Sequence, residues 1–511
     1  MWGRNSVVGS AVLAASLGLA MQAAADPAPV TVKIDSGPIV GSTDGGISVW
    51  KGVPFAAPPV GPLRWKPPQP VAKWSDPRPS TEAGANCAQG VRGGATNGGG
   101  VSSRGAEDCL TLQVFAPAKA HGAPVMVWIH GGANTMGSGS LGGYDGSSFA
   151  RDGVILVSVN YRLGGLGFFA HPALSKAAAP GELLSNYGLM DQVAALKWVQ
   201  RNISAFGGDP KNVTVFGESA GGEDTLALLS APSTTGLFAK AIVESGLGWE
   251  DEFTLAQAET AGAALATKAG APADATADQL RALPVEAIVA ATGRSGRVID
   301  GKLLVESPAQ AFARGLAHDV PLLIGSNSWE ASLIAGGVAT PEGAKTAVSR
   351  IPDSVKAAYA PLNLDDKALA YAAFTDSVMG APARWIAGKA SSGQPSWLYH
   401  FSFVPAANRD KVPGSAHASE IGFAFDSWDK SGRGAAADAE TRAITAVMHG
   451  CWVAMAKTGR LDGCVPGGWP AYDPAKDQLM EFGVSTGVRT NFRKPYLDAQ
   501  QAAKADVVSG K

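Results

Sequence analysis

Five residues, Gly217-Glu218-Ser219-Ala220-Gly221, restrict this chain more than any other feature. They follow the β-branched run Val213–Phe216 and precede a helical run that continues through Leu229. In a chain with 64 glycines such a pattern can arise by chance, so its setting matters more than its letters. A serine between a strand and a helix, flanked by glycines, can sit in a sharp, strained turn that lifts its hydroxyl above a sheet edge. The rest of the chain suits such a turn. Short β-branched runs at Val125–Ile129, Val154–Val159, Val213–Phe216, Ala241–Val243, Pro321–Ile324 and Trp397–Phe403 alternate with longer helical patterns. That alternation predicts an α/β fold with a mostly parallel central sheet and helices on both faces. Leu189, Val193, Leu196, Val199 and Ile203 recur at helical spacing, and Gly207-Gly208-Asp209-Pro210 reads as the stop. Residues 255–320, rich in Ala and polar helix formers, read as helical insertions over the site.

The 511 residues exceed the usual domain size of about 150, but no interdomain linker or internal repeat is visible. One catalytic domain over residues 26–511 is expected. Residues 1–25 have the layout of an export signal: Arg4 is the positive n-region, Val7 to Ala20 is apolar, and Ala23-Ala24-Ala25 forms an A-x-A site before Asp26. No other stretch is apolar enough to span a bilayer, so a secreted or periplasmic protein is expected. The formal net charge of −2, without a basic run, argues against nucleic acid or a membrane surface as partner. The four cysteines suit an oxidising compartment, and proximity suggests the pairs Cys87–Cys109 and Cys451–Cys464. They lack the C-x-x-C spacing and neighbouring histidines of a zinc site, so neither metal nor cofactor is expected. Gly93–Gly100 reads as a surface loop.

A second motif, His130-Gly131-Gly132-Ala133, directly follows the run Val125–Ile129. Acyl transfer needs backbone N–H groups aimed at the oxygen that becomes negative, and side chains there obstruct close approach. The amides of Gly132, Ala133 and Ala220 are the candidates. A serine hydroxyl also needs a base. In the order nucleophile, acid, histidine, four of the seven histidines follow Ser219: His318, His400, His417 and His449. His400 falls inside a strand pattern, His449 inside the helical run Thr441–Lys457, and His318 precedes the run at 321. His417, in a Pro-Gly-Ser loop, is the choice. Glu330 is the only carboxylate in the segment after Pro321–Ile324, which makes it the candidate acid. Asp300, Glu420 and Asp426 are its rivals.

These residues carry a family resemblance over about residues 30 to 497. The stretch Lys51-Gly52-Val53-Pro54-Phe55-Ala56-Ala57-Pro58-Pro59-Val60-Gly61, the segment Glu107-Asp108-Cys109-Leu110-Thr111-Leu112, and Val159-Asn160-Tyr161-Arg162-Leu163-Gly164 join Phe216-Gly217-Glu218-Ser219-Ala220-Gly221-Gly222. Together they resemble the type-B carboxylesterases, the group that also holds the cholinesterases and bacterial para-nitrobenzyl esterases. The resemblance implies an α/β-hydrolase fold and hydrolysis of small-molecule carboxylic esters through an acyl-enzyme. It implies a Ser219–His417–Glu330 triad, a first disulfide loop at Cys87 and Cys109, and a buried serine at Ser245. It also places carboxylates, Glu218 and Glu420, beside the site. Ala133 departs from the third glycine usual in the oxyanion loop, and Trp329 stands where a small or charged residue is usual, which suggests a place at the entrance. Cys451–Cys464 matches no cholinesterase bridge. An amidase or peptidase using the same triad, and a non-catalytic binding protein, stay open as alternatives. Short-chain or aryl esters are expected because no long apolar lid helix is evident. Activity is expected to rise with pH through about 6 to 7 as the histidine loses its proton.

Overall fold

In the computed structural model, residues 1–3, 27–91, 104–249, 252–293, 296–428, 430 and 437–509 are described. The expected export signal and the glycine-rich loop fall outside these, apart from residues 1–3. The strands of the main sheet are β1 (Ala28–Ile34), β2 (Gly37–Asp44), β3 (Ile47–Pro54), β4 (Thr111–Pro117), β5 (Ala123–Ile129), β6 (Ile155–Val159), β7 (Gly208–Glu218), β8 (Lys240–Glu244), β9 (Leu322–Asn327), β10 (Ser396–Phe401), β11 (Gln478–Phe482) and β12 (Gly487–Thr490). Their spatial order is β1-β2-β3-β4-β6-β5-β7-β8-β9-β10-β11-β12, with the two-residue strand Arg78–Pro79 beside β2. From β6 to β11 every neighbouring pair is parallel, while the outer pairs are antiparallel.

The pleat divides the central residues between two cores. On β5, Val125, Val127 and Ile129 pack with Leu189, Val193, Leu196 and Val199 of α1 (Tyr187–Asn202) and with Leu226 and Leu229 of α2 (Ala220–Ser230). The alternate residues Met126 and Trp128 join Phe216, Ile242, Met448, Trp452 and Met455 on the other face. A strand buried on both faces is apolar nearly throughout, which is why β5 reads as a continuous apolar run and β6 as one broken only by Ser158, whose buried hydroxyl donates to Gly139 O. Four further helices matter for the site or its covering: α3 (Leu255–Lys268), α4 (Pro308–Arg314), α5 (Ala381–Ala390) and α6 (Ala439–Thr458). The first two lie in the segment expected to be helical insertions.

Two differences from the expected elements have local causes. Gly208-Asp209-Pro210 does not merely end α1. A short 3-10 turn, Ile203–Phe206, and the left-handed Gly207 (φ 83°) make the stop, and β7 already begins at Gly208 with a register shift before Val213. The strands β1 to β3 and β11 to β12 extend the parallel sheet as antiparallel edges.

Both cysteine pairs are bridged, Cys87 to Cys109 and Cys451 to Cys464. The second ties α6 to the segment after it, next to Trp452, whose indole donates to a buried carboxylate described below. Replacing Cys451 and Cys464 together by serine is expected to retain the fold and cost about 3 kcal/mol, the loop-closure value for a bridge of this span. Urea unfolding followed by tryptophan fluorescence reads the loss.

Candidate active site

The reactive side chains all come from loops at the carboxyl ends of parallel strands, where open α/β sheets present their ligand crevice. His130 follows β5, Ser219 follows β7, Ser245 follows β8, Glu330 follows β9 and His417 lies in the loop beyond β10. Ser219 sits at φ 57°, ψ −125°, a conformation that costs a non-glycine residue about 1–3 kcal/mol. Neighbouring backbone supports it: Ser219 N donates to Glu244 O at 2.9 Å, and Glu223 N to Ser219 O at 2.8 Å. The flanking glycine is required by contact. A Cβ on Gly221 would lie 2.0 Å from Ile129 O, because α2 begins directly against the end of β5.

Glu330 and His417 meet across 87 residues of sequence, with His417 Nδ1 2.7 Å from Glu330 Oε2. The other oxygen, Oε1, accepts from Ser245 Oγ at 2.6 Å and Asn327 N at 2.7 Å. The histidine loop is fastened onto the acid loop along its length. Trp329 N donates to Ser415 O at 2.9 Å, Ser415 N to Ser328 Oγ at 2.8 Å, His417 N to Ser332 Oγ at 2.9 Å, and Asn327 Nδ2 to Ala416 O at 3.0 Å. Trp329, expected at the entrance, thus joins these two loops through its backbone, and its ring packs edge-on against Tyr371.

The rival residues have other occupations. Asp300 accepts from the amides of Lys302, Leu303 and Leu304 as a turn former, and Asp426 accepts from Ser148. Glu420 accepts from Ser245 Oγ at 3.3 Å and from Asn327 Nδ2. His318 Nε2 pairs with Thr234 Oγ1 and Ala231 O. His449 pairs with Ala424 O and Asp152, and the half-buried His400 packs against Phe492.

In the oxyanion segment, Gly132 has φ 112°, Ala133 φ 53° and Asn134 φ 54°. A Cβ on Gly132 would approach Met136 O to 2.1 Å. Among the described residues no backbone carbonyl accepts from the amides of Gly132, Ala133 or Ala220. The segment packs directly on the serine turn: the position of a Cβ on Gly131 lies 2.7 Å from Glu218 Oε2 and 3.1 Å from Ser219 Cβ.

His417 Nε2 lies 3.1 Å from Glu218 Oε1, and no hydrogen bond links His417 to Ser219 among the described residues. Four glutamates, Glu218, Glu244, Glu330 and Glu420, are fully buried here. Burial alone would lower the His417 pKa, but the charges of Glu218, Glu330 and Glu420 outweigh it and lift it to about 10. That is well above the expected 6 to 7, and the cause is carboxylates that converge only in the folded chain. Burial first, and then the Glu330 charge, push Glu420 up to about 7. Burial and Glu420 raise Glu244 well above the usual carboxylate range, while Trp452 Nε1 donates to its Oε1 at 2.7 Å. Glu244 is the participant that the motifs missed; its place at the end of β8, register-paired with Glu218, was the available signal.

A mostly parallel sheet with a strained serine turn, an imidazole–carboxylate pair and a glycine loop at its carboxyl edge defines the α/β-hydrolase class. Residues 28–360 and 363–500 match the carboxylesterase family. The para-nitrobenzyl esterase of Bacillus subtilis (strain 168) is 38% identical over 461 residues, covering 85% of this chain and 91% of that protein. The fumonisin B1 esterase of Sphingopyxis macrogoltabida is 32% identical over 494 residues, covering 90% and 87%. Among solved structures, the Geobacillus stearothermophilus carboxylesterase superposes with a TM-score of 0.81 at 30% identity, over 92% of this chain and 100% of that one. The chain belongs to the carboxylesterase family, and it is a carboxylic ester hydrolase.

Two glycine substitutions should separate backbone contact from glycine content. Gly221→Ala places a methyl against a strand carbonyl and is expected to abolish soluble, folded protein or to lower its thermal midpoint sharply. Gly450→Ala, in α6 with nothing within 4 Å of the new methyl, should instead stabilise by up to about 1 kcal/mol. Thermal denaturation of both variants checks the contrast.

Proposed function

We propose that Ser219, His417 and Glu330 are the catalytic triad of a serine esterase acting on short-chain or aryl esters through an acyl-enzyme. The observation that carries this reading is the 2.7 Å contact of His417 with Glu330 beside the strained turn of Ser219. In the acylation half-reaction, Ser219 Oγ attacks the ester carbonyl while His417 takes its proton. The amides of Gly132, Ala133 and Ala220 receive the developing negative charge, and the alcohol leaves with the proton from His417. Water then attacks the acyl-enzyme with His417 again as base, releasing the acid. Glu330 holds the imidazole in one tautomer, and Ser245 with Asn327 N holds Glu330. Glu218 and Glu420 support the imidazolium electrostatically.

Residues 26–511 act as one domain in this reading, and residues 1–25 as an export signal cleaved before Asp26. The N-terminal pattern supports export to the periplasm or medium. The two disulfides and the absence, among the described residues, of a helix able to cross a membrane are compatible with it. Similarity to the para-nitrobenzyl esterase of Bacillus subtilis supports p-nitrobenzyl and similar aryl esters as first substrates.

Ser219→Ala should lower kcat on p-nitrophenyl acetate by at least about 1,000-fold and abolish labelling by an organophosphonate, with an unchanged circular dichroism spectrum. Retained turnover would refute the triad. A p-nitrophenyl series from two to sixteen carbons should favour the short acyl chains.

The carboxylates around His417 also set a pH signature. The base is active when neutral, so kcat/KM rises as pH rises through its pKa, and groups that raise this pKa move the limb upward. Glu218→Gln removes one such charge and should shift the limb to lower pH by roughly one unit. A pH–rate profile of the two proteins, with chemistry limiting, reads the shift; an unmoved or upward limb contradicts it.

A further inference from the structure

We propose that Asn134 is a positioning residue that sets the oxyanion loop against the nucleophile helix, an inference that rests on the reading of Gly132 and Ala133 as charge-receiving amides. Asn134 is 2% exposed and follows these two residues directly. Its Nδ2 donates to Asp224 Oδ1 at 3.1 Å, and its Oδ1 accepts from Tyr161 Oη at 3.1 Å. The same tyrosine hydroxyl lies 2.7 Å from His130 O, so it grips the loop on both sides of Gly131–Ala133. The Asn134 carbonyl accepts from Gly164 N at 2.6 Å.

Asp224 lies on α2, the helix that begins at Ala220 and supplies the third amide. It is itself held. Gln192 Nε2 donates to its Oδ2 at 2.6 Å, and Arg297 reaches its Oδ1 at 3.1 Å while also pairing with Glu223 at 2.8 Å and Glu252 at 3.0 Å. A side chain of apolar type would fill the same buried place without constraint on the loop's rotation. A buried amide between a carboxylate and a phenol is different, because leaving any of these groups unpaired is costly. The amide therefore has one orientation, and Ala133 and Asn134 are held left-handed, where Asn is tolerated and Ala is not at ease. The amides of residues 132 and 133 are thus registered to that of residue 220 through Asn134–Asp224.

The test compares the parent with Asn134→Leu and with Asn134→Asp, which keeps an acceptor for Tyr161 but sets a carboxylate against Asp224 Oδ1. The readouts are kcat and KM on p-nitrophenyl acetate, the Ki of a trifluoromethyl ketone that forms a tetrahedral adduct on Ser219, and the thermal midpoint. The expected result for Asn134→Leu is a fall in kcat of about 10- to 100-fold with KM within about threefold. The ketone Ki should rise by the factor lost in kcat/KM. Asn134→Asp should likewise lower kcat and raise the ketone Ki, because two carboxylates then face each other where an amide donated to one. A kcat and ketone Ki within threefold of the parent overturn the proposal, as does a fall in kcat with the ketone Ki unmoved. Should Asn134→Leu not fold, Asn134→Asp decides: a kcat and ketone Ki within threefold of the parent overturn the proposal. Turnover that survives Ser219→Ala would instead remove the underlying triad reading, so the two failures are distinguishable.

Discussion

The hydrogen bond from Ser219 N to Glu244 O holds a non-glycine residue at φ 57° and ψ −125°, and the other reactive groups are arranged around that turn. Two strands in parallel register make it possible. Glu218 pairs with Glu244, and Gly217 with Ile129, so the chain leaves β7 between two fixed backbones. The turn is narrow enough that α2 starts in contact with Ile129 O and the Gly131 backbone lies against Ser219. A strained local conformation persists only where its surroundings over-determine it. Here the surroundings are the most buried strands in the sheet, with both faces covered by separate apolar cores.

The same turn sets the electrostatics. Glu218 precedes the serine and Glu244 ends the adjacent strand, so forming the turn brings two carboxyl groups into a dry site that also receives Glu330 and Glu420. Burial and mutual repulsion oppose ionisation of Glu244 and Glu420. The structure resolves this unequally: Glu244 is pushed toward the neutral form, and His417 toward the charged one. An imidazolium stabilised by surrounding carboxylates is the state that a base reaches after taking a serine proton. In the proposed triad this arrangement would favour the proton-transferred state at the cost of a base that is less readily neutral.

Much of the reading came from short patterns whose structural setting could be judged locally. The strand before Ser219 and the helix after it were legible because their residues are apolar at consecutive or helical spacing. His417 and Glu330 were selected by order along the chain, and the fold places them 2.7 Å apart. The antiparallel edges were less legible, since β1 to β3 are half-exposed and β12 is short. The stop after α1 was legible in Gly207, but not that Gly208 already pairs with Ala123 and so begins β7.

By itself the amino-acid sequence determined the sheet class, the strand–turn–helix around Ser219 and both cysteine pairings, because each depends on neighbours close in the chain or on composition. Tertiary structure alone decided that Glu244 joins the carboxylates around the imidazole, how far their charges shift it, and what holds the glycine loop. Glu218, Glu244, Glu330 and Glu420 span more than 200 residues, and Asn134, Asp224 and Arg297 more than 160. Charge interactions and hydrogen bonds depend on separation in space, and no local pattern records which distant side chains a shared sheet edge will bring within reach.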